Sequence, residues 1–313
     1  MDEIDIVRAS HIEYTVTDLE EARRYYVDLL GFIETESDGE SIFLRGIEDR
    51  IHHCLVLRKG GSPSLGHMAF SLRTEKDVGK AKKFLDSEGL DFIAEDGMEE
   101  GLGETIRFQD PFGFPVEFFY SIEKVDWKLQ HFDAYRGGKI MRIDHFNILT
   151  PDVPSAVEWY TGRLNFILSE YTVDEEGFVQ SAWLRRKYSS HDLAIMRGRG
   201  PRFHHAGFIV SDRSSILDCA DIMASRGRFA NIERGPGRHG ITNAFFLYLR
   251  DADKHRIELY TGDYMAADPG LPPVRWNIDD PRRQTFWGTP APESWQKEAS
   301  AVSAIPGRRS MTG

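Results

Sequence analysis

Arg202-Phe203-His204-His205-Ala206-Gly207-Phe208-Ile209-Val210 opens an apolar run with a pair of histidines. The run reads as a β-strand. Neighbouring side chains on a regular strand face opposite ways, so His204 and His205 cannot share one role. Working outward, His67-Met68-Ala69-Phe70 begins a matching strand, which pairs His205 with His67 and His204 with Gly66. His205 is therefore expected to face a cavity. His204 is expected on the other side of the sheet, or at most as a support for the site.

Both strands lead into helical spacing: Val78, Ala81, Phe84 and Leu85 up to Gly89, and Ile216, Leu217, Ala220 and Met223 up to Gly227. Both units close alike. Asp110-Pro111-Phe112-Gly113 leads to Glu117, and Asp251-Ala252-Asp253-Lys254 leads to Glu258. Two further copies precede them. His11 starts a strand, then Thr17 or Asp18 caps a helix through Leu19, Ala22, Tyr25, Tyr26, Leu29 and Leu30, which Gly31 ends in a left-handed conformation. His145 starts the other copy, whose helix follows Pro151-Asp152 and ends before Asn165-Phe166.

The pattern predicts an α+β chain of four βαβββ modules in two pairs, each pair a curved mixed sheet around a cavity. The expected divisions are an N-terminal, non-catalytic domain at 8–120, a connector at 121–141, a catalytic metal-binding domain at 142–261 and a tail at 262–313. The tail carries Pro269, Pro272, Pro273, Pro281, Pro290 and Pro292 with Trp276, Trp287 and Trp295. It is expected to cover the site or a subunit contact, fraying from about Ala301.

Composition narrows the function classes. A chain of 313 residues with 41% hydrophobic and 28% charged residues is globular and long enough for two cores. No apolar run reaches the ~20 residues of a membrane span. The acidic start Met-Asp-Glu-Ile-Asp does not read as a secretory signal. A net charge of −11 argues against a nucleic-acid partner. Cys54 and Cys219 sit in apolar-periodic segments, as buried thiols of a cytoplasmic protein would.

Three residues fall at equivalent strand positions in the second half: His145, His205 and Glu258. A lone strand histidine is ordinarily a core or surface group. Two imidazoles and a carboxylate at matched positions read as the facial triad of a divalent first-row metal, with the opposite face open to ligands. The loop Glu233-Arg234-Gly235-Pro236-Gly237-Arg238-His239-Gly240 is basic and held on a tight path, which suits an anionic ring substituent.

Taken together, Ile143-Asp144-His145-Phe146-Asn147, His204-His205, the 233–240 loop, Asn243-Ala244-Phe245-Phe246-Leu247-Tyr248, His255-Arg256-Ile257-Glu258 and Phe286-Trp287-Gly288 resemble the type I extradiol catechol dioxygenases of the vicinal oxygen chelate superfamily. The likeness is strongest to the homoprotocatechuate 2,3-dioxygenases and covers nearly the whole chain. It implies iron(II), with manganese(II) as the alternative, and O2 with a catechol as substrates. It also implies a homotetramer. Homoprotocatechuate leads as substrate and protocatechuate is next.

The resemblance makes His191 the acid/base and Tyr248 a hydrogen-bonding catalytic residue. It makes Asn147, Arg234 and His239 substrate-binding, with Arg283 and Trp183 over the ring. Relatives often carry three arginines before the Phe-Trp-Gly motif, where this chain has Arg282-Arg283-Gln284. A glyoxalase-like isomerase or lyase, or a metal-free binding protein, would share the fold without needing the His191–Tyr248 pair.

The first half carries its own formal triad, His11, His67 and Glu117. There His52 matches His191 by the Leu-Val-Leu-Arg that follows it. Arg107 replaces Tyr248, and Glu13 replaces Asn147. The loop Glu95-Asp96-Gly97-Met98-Glu99-Glu100 is acidic where its counterpart is basic. An anionic catechol would be repelled, so this set reads as a relic that takes up metal only adventitiously.

Overall fold

The computed structural model describes residues 3–268 and 270–305. Four modules follow one another with one element order. The first is β1 (Ile6–Val16), α1 (Leu19–Arg23), β2 (Ile33–Ser37), β3 (Ser41–Arg45) and β4 (Leu55–Lys59). The second is β5 (Ser64–Leu72), α2 (Glu75–Glu88), β6 (Phe92–Asp96), β7 (Glu104–Gln109) and β8 (Pro115–Phe119). The third is β9 (Ile140–Thr150), α3 (Val153–Leu164), β10 (Ile167–Val173), β11 (Val179–Arg185) and β12 (Leu193–Arg197). The fourth is β13 (Arg202–Val210), α4 (Arg213–Ser225), β14 (Ile232–Arg238), β15 (Phe245–Arg250) and β16 (Arg256–Thr261).

Local chemistry sets the helices. Asp18 caps α1 by accepting from the Glu21 amide, and α1 widens into a π-helical turn over Arg24–Leu29. Thr74 and Asp77 form a capping box at α2, and Gly89 ends that helix in the left-handed region. Gly31 likewise has a φ of +85°, and a Cβ there would meet the Arg136 carbonyl oxygen at 2.1 Å. The apolar stripe Val78, Ala81, Phe84 and Leu85 is buried against its sheet.

Each pair of modules forms one mixed sheet, as the repeat predicts. The orders are β2-β3-β4-β1-β5-β8-β7-β6 and β14-β15-β16-β13-β9-β12-β11-β10. Modules meet through an antiparallel pair, β1 with β5 and β9 with β13. The next strands out, β4, β8, β12 and β16, each run parallel to the member of the pair beside them. The two sheets share one continuous apolar core, in which Phe70 packs edge-on against Phe146 and Phe166.

Two crossed hydrogen bonds join the halves. Tyr26 donates to Asp251 at 2.9 Å, and Tyr160 donates to Asp110 at 2.7 Å. The tail adds β17 (Val274–Asn277) to the edge of the second sheet beside β10. It continues through α5 (Pro281–Gln284) and α6 (Ser294–Lys297), then pairs β18 (Ala301–Val302) with β5 of the first sheet. Ala301 and Val302 are thus ordered by strand pairing rather than frayed. The rest of the expected frayed end, 306–313, and Pro269 lie outside the described residues. Among the described residues no helix is long and apolar enough to cross a membrane.

Candidate metal centre and its cavity

The triad is built by register. Gly207 on β13 lies opposite His145 on β9 and opposite Glu258 on β16. His205 lies two residues earlier on β13, on the same face as Gly207. Three side chains from three adjacent strands therefore surround a glycine. A Cβ at Gly207 would meet His145 Cε1 at 2.0 Å, so the missing side chain is what lets the imidazole lie across the strand.

The ligand atoms converge. His145 Nε2 is 3.3 Å from His205 Nε2 and 3.0 Å from Glu258 Oε2, and His205 Nε2 is 3.2 Å from that oxygen. Ligands about 2.1 Å from one ion stand about 3.0 Å apart on an octahedral face, so the spacing fits a facial triad. Among the described residues this is one of two clusters able to hold a metal.

Outer partners fix which nitrogen each imidazole offers. His204 Nε2 is 3.0 Å from the Trp295 carbonyl oxygen, which can only accept, so His204 Nδ1 is the lone-pair atom. His205 Nδ1, 2.7 Å from it, then carries the proton and leaves Nε2 free for metal. His145 Nδ1 lies 3.3 Å from Asp144 Oδ2 and donates there, which likewise frees its Nε2. His204 thus supports the site from the same side as His205, not from behind the sheet. The cause is a β-bulge: the ladder passes from Phe203–Ile148 to His205–Asn147 and leaves His204 unpaired. The matching bulge in the first half leaves out Gly66.

Burial pushes His205 down to about 4. Burial also works against charge on His145, but bonds to Asp144 and Glu258 raise it to about 9. Glu258 is buried too, and the imidazoles that face it, His145 and His205 foremost, hold it well below the usual carboxylate range.

A cavity opens on the free side of the triad, lined by Asn147, Trp183, His191, His239, Tyr248 and Arg283 together with the three ligands. Tyr248 is opposite Glu258 in the sheet, and Asn147 is opposite His205. The His191 ring lies 4.0 Å from the His145 ring, between centroids. His191 Nδ1 is 2.7 Å from Ser190 Oγ, and that hydroxyl donates to Asp263 at 2.9 Å. Nδ1 therefore carries the proton, and burial holds the ring neutral. Tyr248 donates to His239 Nε2 at 2.9 Å, since His239 Nδ1 donates to the Gln284 carbonyl. Burial keeps the Tyr248 phenol protonated.

Arg234 is buried beside the cavity rather than in its lining. Its guanidinium is 4.6 Å from the Trp295 ring centre and 4.9 Å from that of Phe246. It donates to the Gln284 carbonyl and the Thr285 hydroxyl. Arg282 is exposed and pairs with Asp280, which leaves Arg283 as the arginine on the wall.

Sequence reasoning missed Ser190, Asp263, Asp144 and the lining residues Gln284, Ile241, Thr242 and Trp295. Only Trp295 had a signal, an aromatic residue within a proline-rich tail. The registers pair Leu193 with Phe146 in the second half and Leu55 with Ile12 in the first. The counterpart of His191 is therefore His53, two residues before Leu55, and His52 is one position off.

The family model for the Glyoxalase/Bleomycin resistance protein/Dioxygenase superfamily matches residues 8–118 and 142–259. The chain belongs to this superfamily. Within it, the chain is 33% identical over 301 residues to the manganese-dependent 2,3-dihydroxybiphenyl 1,2-dioxygenase of Geobacillus genomosp. 3, covering 91% of this chain and 95% of that one. It is 28% identical to a metapyrocatechase of Geobacillus stearothermophilus over 96% of this chain and 95% of the other. Among solved structures it superposes on homoprotocatechuate 2,3-dioxygenase from Brevibacterium fuscum, in complex with 3,4-dihydroxyphenylacetate, with a TM-score of 0.95. The identity is 42%, covering 97% of this chain and 96% of that one. The Arthrobacter globiformis enzyme gives a TM-score of 0.94 at 42% identity, covering 97% and 94%. The fold is thus that of the extradiol dioxygenases of this superfamily.

Proposed function

We propose that this chain cleaves a catechol beside its diol with O2, using iron(II) held by His145, His205 and Glu258. The observation that carries the reading is the company of the triad: an open cavity with a neutral histidine on one side and a tyrosine–histidine pair on the other. A glyoxalase-like isomerase or a binding protein needs neither group. Iron(II), when bound, supplies positions where catechol and O2 lie side by side and share electron density. Manganese(II) fits the same donors, and the first-mentioned relative is named for it.

The remaining chemistry belongs to the chain. His191 Nε2 carries a lone pair, so the neutral ring takes a catechol proton first and returns it later. Ser190 and Asp263 hold its tautomer. Tyr248, oriented by its bond to His239, accepts from a hydroxyl on the diol side, with Arg234 keeping positive charge behind the pair. Asn147 orients the ring, and Trp183 and Trp295 exclude water. Arg283 pairs with a carboxylate side chain on the ring. This favours 3,4-dihydroxyphenylacetate as substrate, with protocatechuate next. Two buried free thiols, Cys54 and Cys219, suit a cytoplasmic protein. The exposed Phe286 and Trp287 suit subunit contacts of a homotetramer.

The test uses anaerobic protein loaded with iron(II), given 3,4-dihydroxyphenylacetate and then air. The expected result is oxygen uptake with a yellow ring-opened product, both lost in Glu258→Ala. Silence with protocatechuate, catechol and 2,3-dihydroxybiphenyl as well would refute the assignment.

A further inference from the structure

The N-terminal half holds a second convergence of ligand atoms. His11 on β1 lies opposite Ala69 on β5, which lies opposite Glu117 on β8, with His67 two residues before Ala69. This is the register of the first centre. His11 Nε2 is 3.3 Å from His67 Nε2 and 3.1 Å from Glu117 Oε1. That oxygen is buried and has no aligned hydrogen-bond donor.

A fourth donor is present here. Glu99 reaches within 3.6 Å of both His11 Nε2 and His67 Nε2. All four side chains are buried, and their ligand atoms lie within 4.8 Å of one another. Four atoms about 2.0–2.1 Å from a common ion stand about 3.3 Å apart at the corners of a tetrahedron. The distances from the imidazole nitrogens, 3.1, 3.3 and 3.6 Å, bracket that figure, with Glu99 meeting His11 through Oε1 and His67 through Oε2.

The surroundings hold the carboxylates in place. Arg107 donates to Glu117 Oε2 at 2.6 Å and to Glu99 Oε2 at 2.7 Å. His53 Nε2 stands 2.9 Å from Glu99 Oε1. The charges do not balance. Glu13, Glu99 and Glu117 face Arg58 and Arg107, which leaves one uncompensated negative charge in the interior.

We propose that the N-terminal domain holds a second divalent metal, closed and structural, between His11, His67, Glu99 and Glu117. Two imidazoles and two carboxylates in a four-coordinate cage suit zinc(II). With four protein ligands the ion has no position left for a catechol. Arg107 lies opposite Glu117 where the second half places Tyr248 opposite Glu258. The site is therefore independent of ring cleavage. A proton on one imidazole would meet the same charge, and metal counting separates the two occupants.

Chelator-stripped protein is reloaded with zinc(II) alone, gel-filtered and counted for metal per chain by elemental mass spectrometry. Wild type should hold two equivalents, and Glu258→Gln should keep one. Glu258→Gln combined with His67→Gln should hold none, with Glu99→Gln replacing His67→Gln if that protein does not fold. Loading Glu258→Gln with cobalt(II) should give the intense visible absorption of a four-coordinate ion. A single equivalent in wild type that vanishes in Glu258→Gln overturns the proposal. So does a second equivalent that survives the combined variant. The count is read without substrate, so it stands or falls separately from the dioxygenase assignment.

Discussion

The two halves place the same three ligand types on the same three strands, with the same 3.3 Å between imidazole nitrogens. They differ one position away. Where the second half has Asn147, Tyr248 and a glycine at matched registers, the first has Glu13, Arg107 and an alanine, and there Glu99 adds a carboxylate beside the ligands. Sheet register preserves a ligand set through duplication at little cost, because any side chain at those positions must point inward. Reactivity depends on the flanking residues. Neutral hydrogen-bonding groups leave a metal face open, whereas paired charges close it. The comparison also shows why a triad alone is weak evidence for an enzyme.

The sharpest way to break the contrast is to remove matched carboxylates. Glu258→Ala should abolish oxygen uptake together with the catalytic metal, while Glu117→Ala should leave ring cleavage per catalytic metal unchanged in whatever protein folds. Oxygen-electrode rates with metal analysis decide it. His191→Asn should lower kcat about 10²–10³-fold with metal retained, the usual weight of a positioned acid/base. The matched His53→Asn should leave kcat unaltered.

Gly207→Ala brings a methyl group onto the His145 ring and should weaken catalytic metal binding about 10–100-fold, read by competition with a chelator. Ala69→Gly, the reverse exchange in the other half, should leave that affinity unchanged. Arg283→Gln should cost about 1.5–3 kcal/mol toward carboxylated catechols, seen as a raised KM, with plain catechol little affected.

A separate effect, on stability rather than activity, concerns the crossed interdomain bonds. Burial raises Asp110 from 3.8 to about 6. Between those values the folded chain binds the proton more tightly than the unfolded one. Stability is therefore greatest below the window, falls as pH rises through it by about 3 kcal/mol, and levels off above. Asp110→Asn should flatten this slope in melting temperatures measured from pH 4 to 6.

The sheets were legible because strands repeat with period two and each module repeats its histidine or its Asp-to-Glu interval. That was enough to select His145, His205 and Glu258 and to match His204 with Gly66. It was not enough to place His204, because a bulge breaks the alternation and nothing in a nine-residue strand marks it. The His52 match failed by one residue, since a sequel of apolar residues fixes a strand but not its register. Ser190–Asp263 and Trp295 come together only through the tertiary fold, from segments far apart in the chain. Arg234 has the charge expected of a substrate clamp, and its packing against Trp295 and Phe246 beside the cavity leaves no trace in loop composition.

The crossed tyrosine–aspartate bonds have a consequence for descent. Tyr26 corresponds to Tyr160, and Asp110 to Asp251, so each half contributes the same donor and the same acceptor to the other. Such an exchange has the symmetry of a two-fold dimer contact. A half-length ancestor carrying one tyrosine and one aspartate already possessed a self-complementary surface. Fusing two copies of such a half would join surfaces that already matched, and the crossed bonds are what that origin would leave behind.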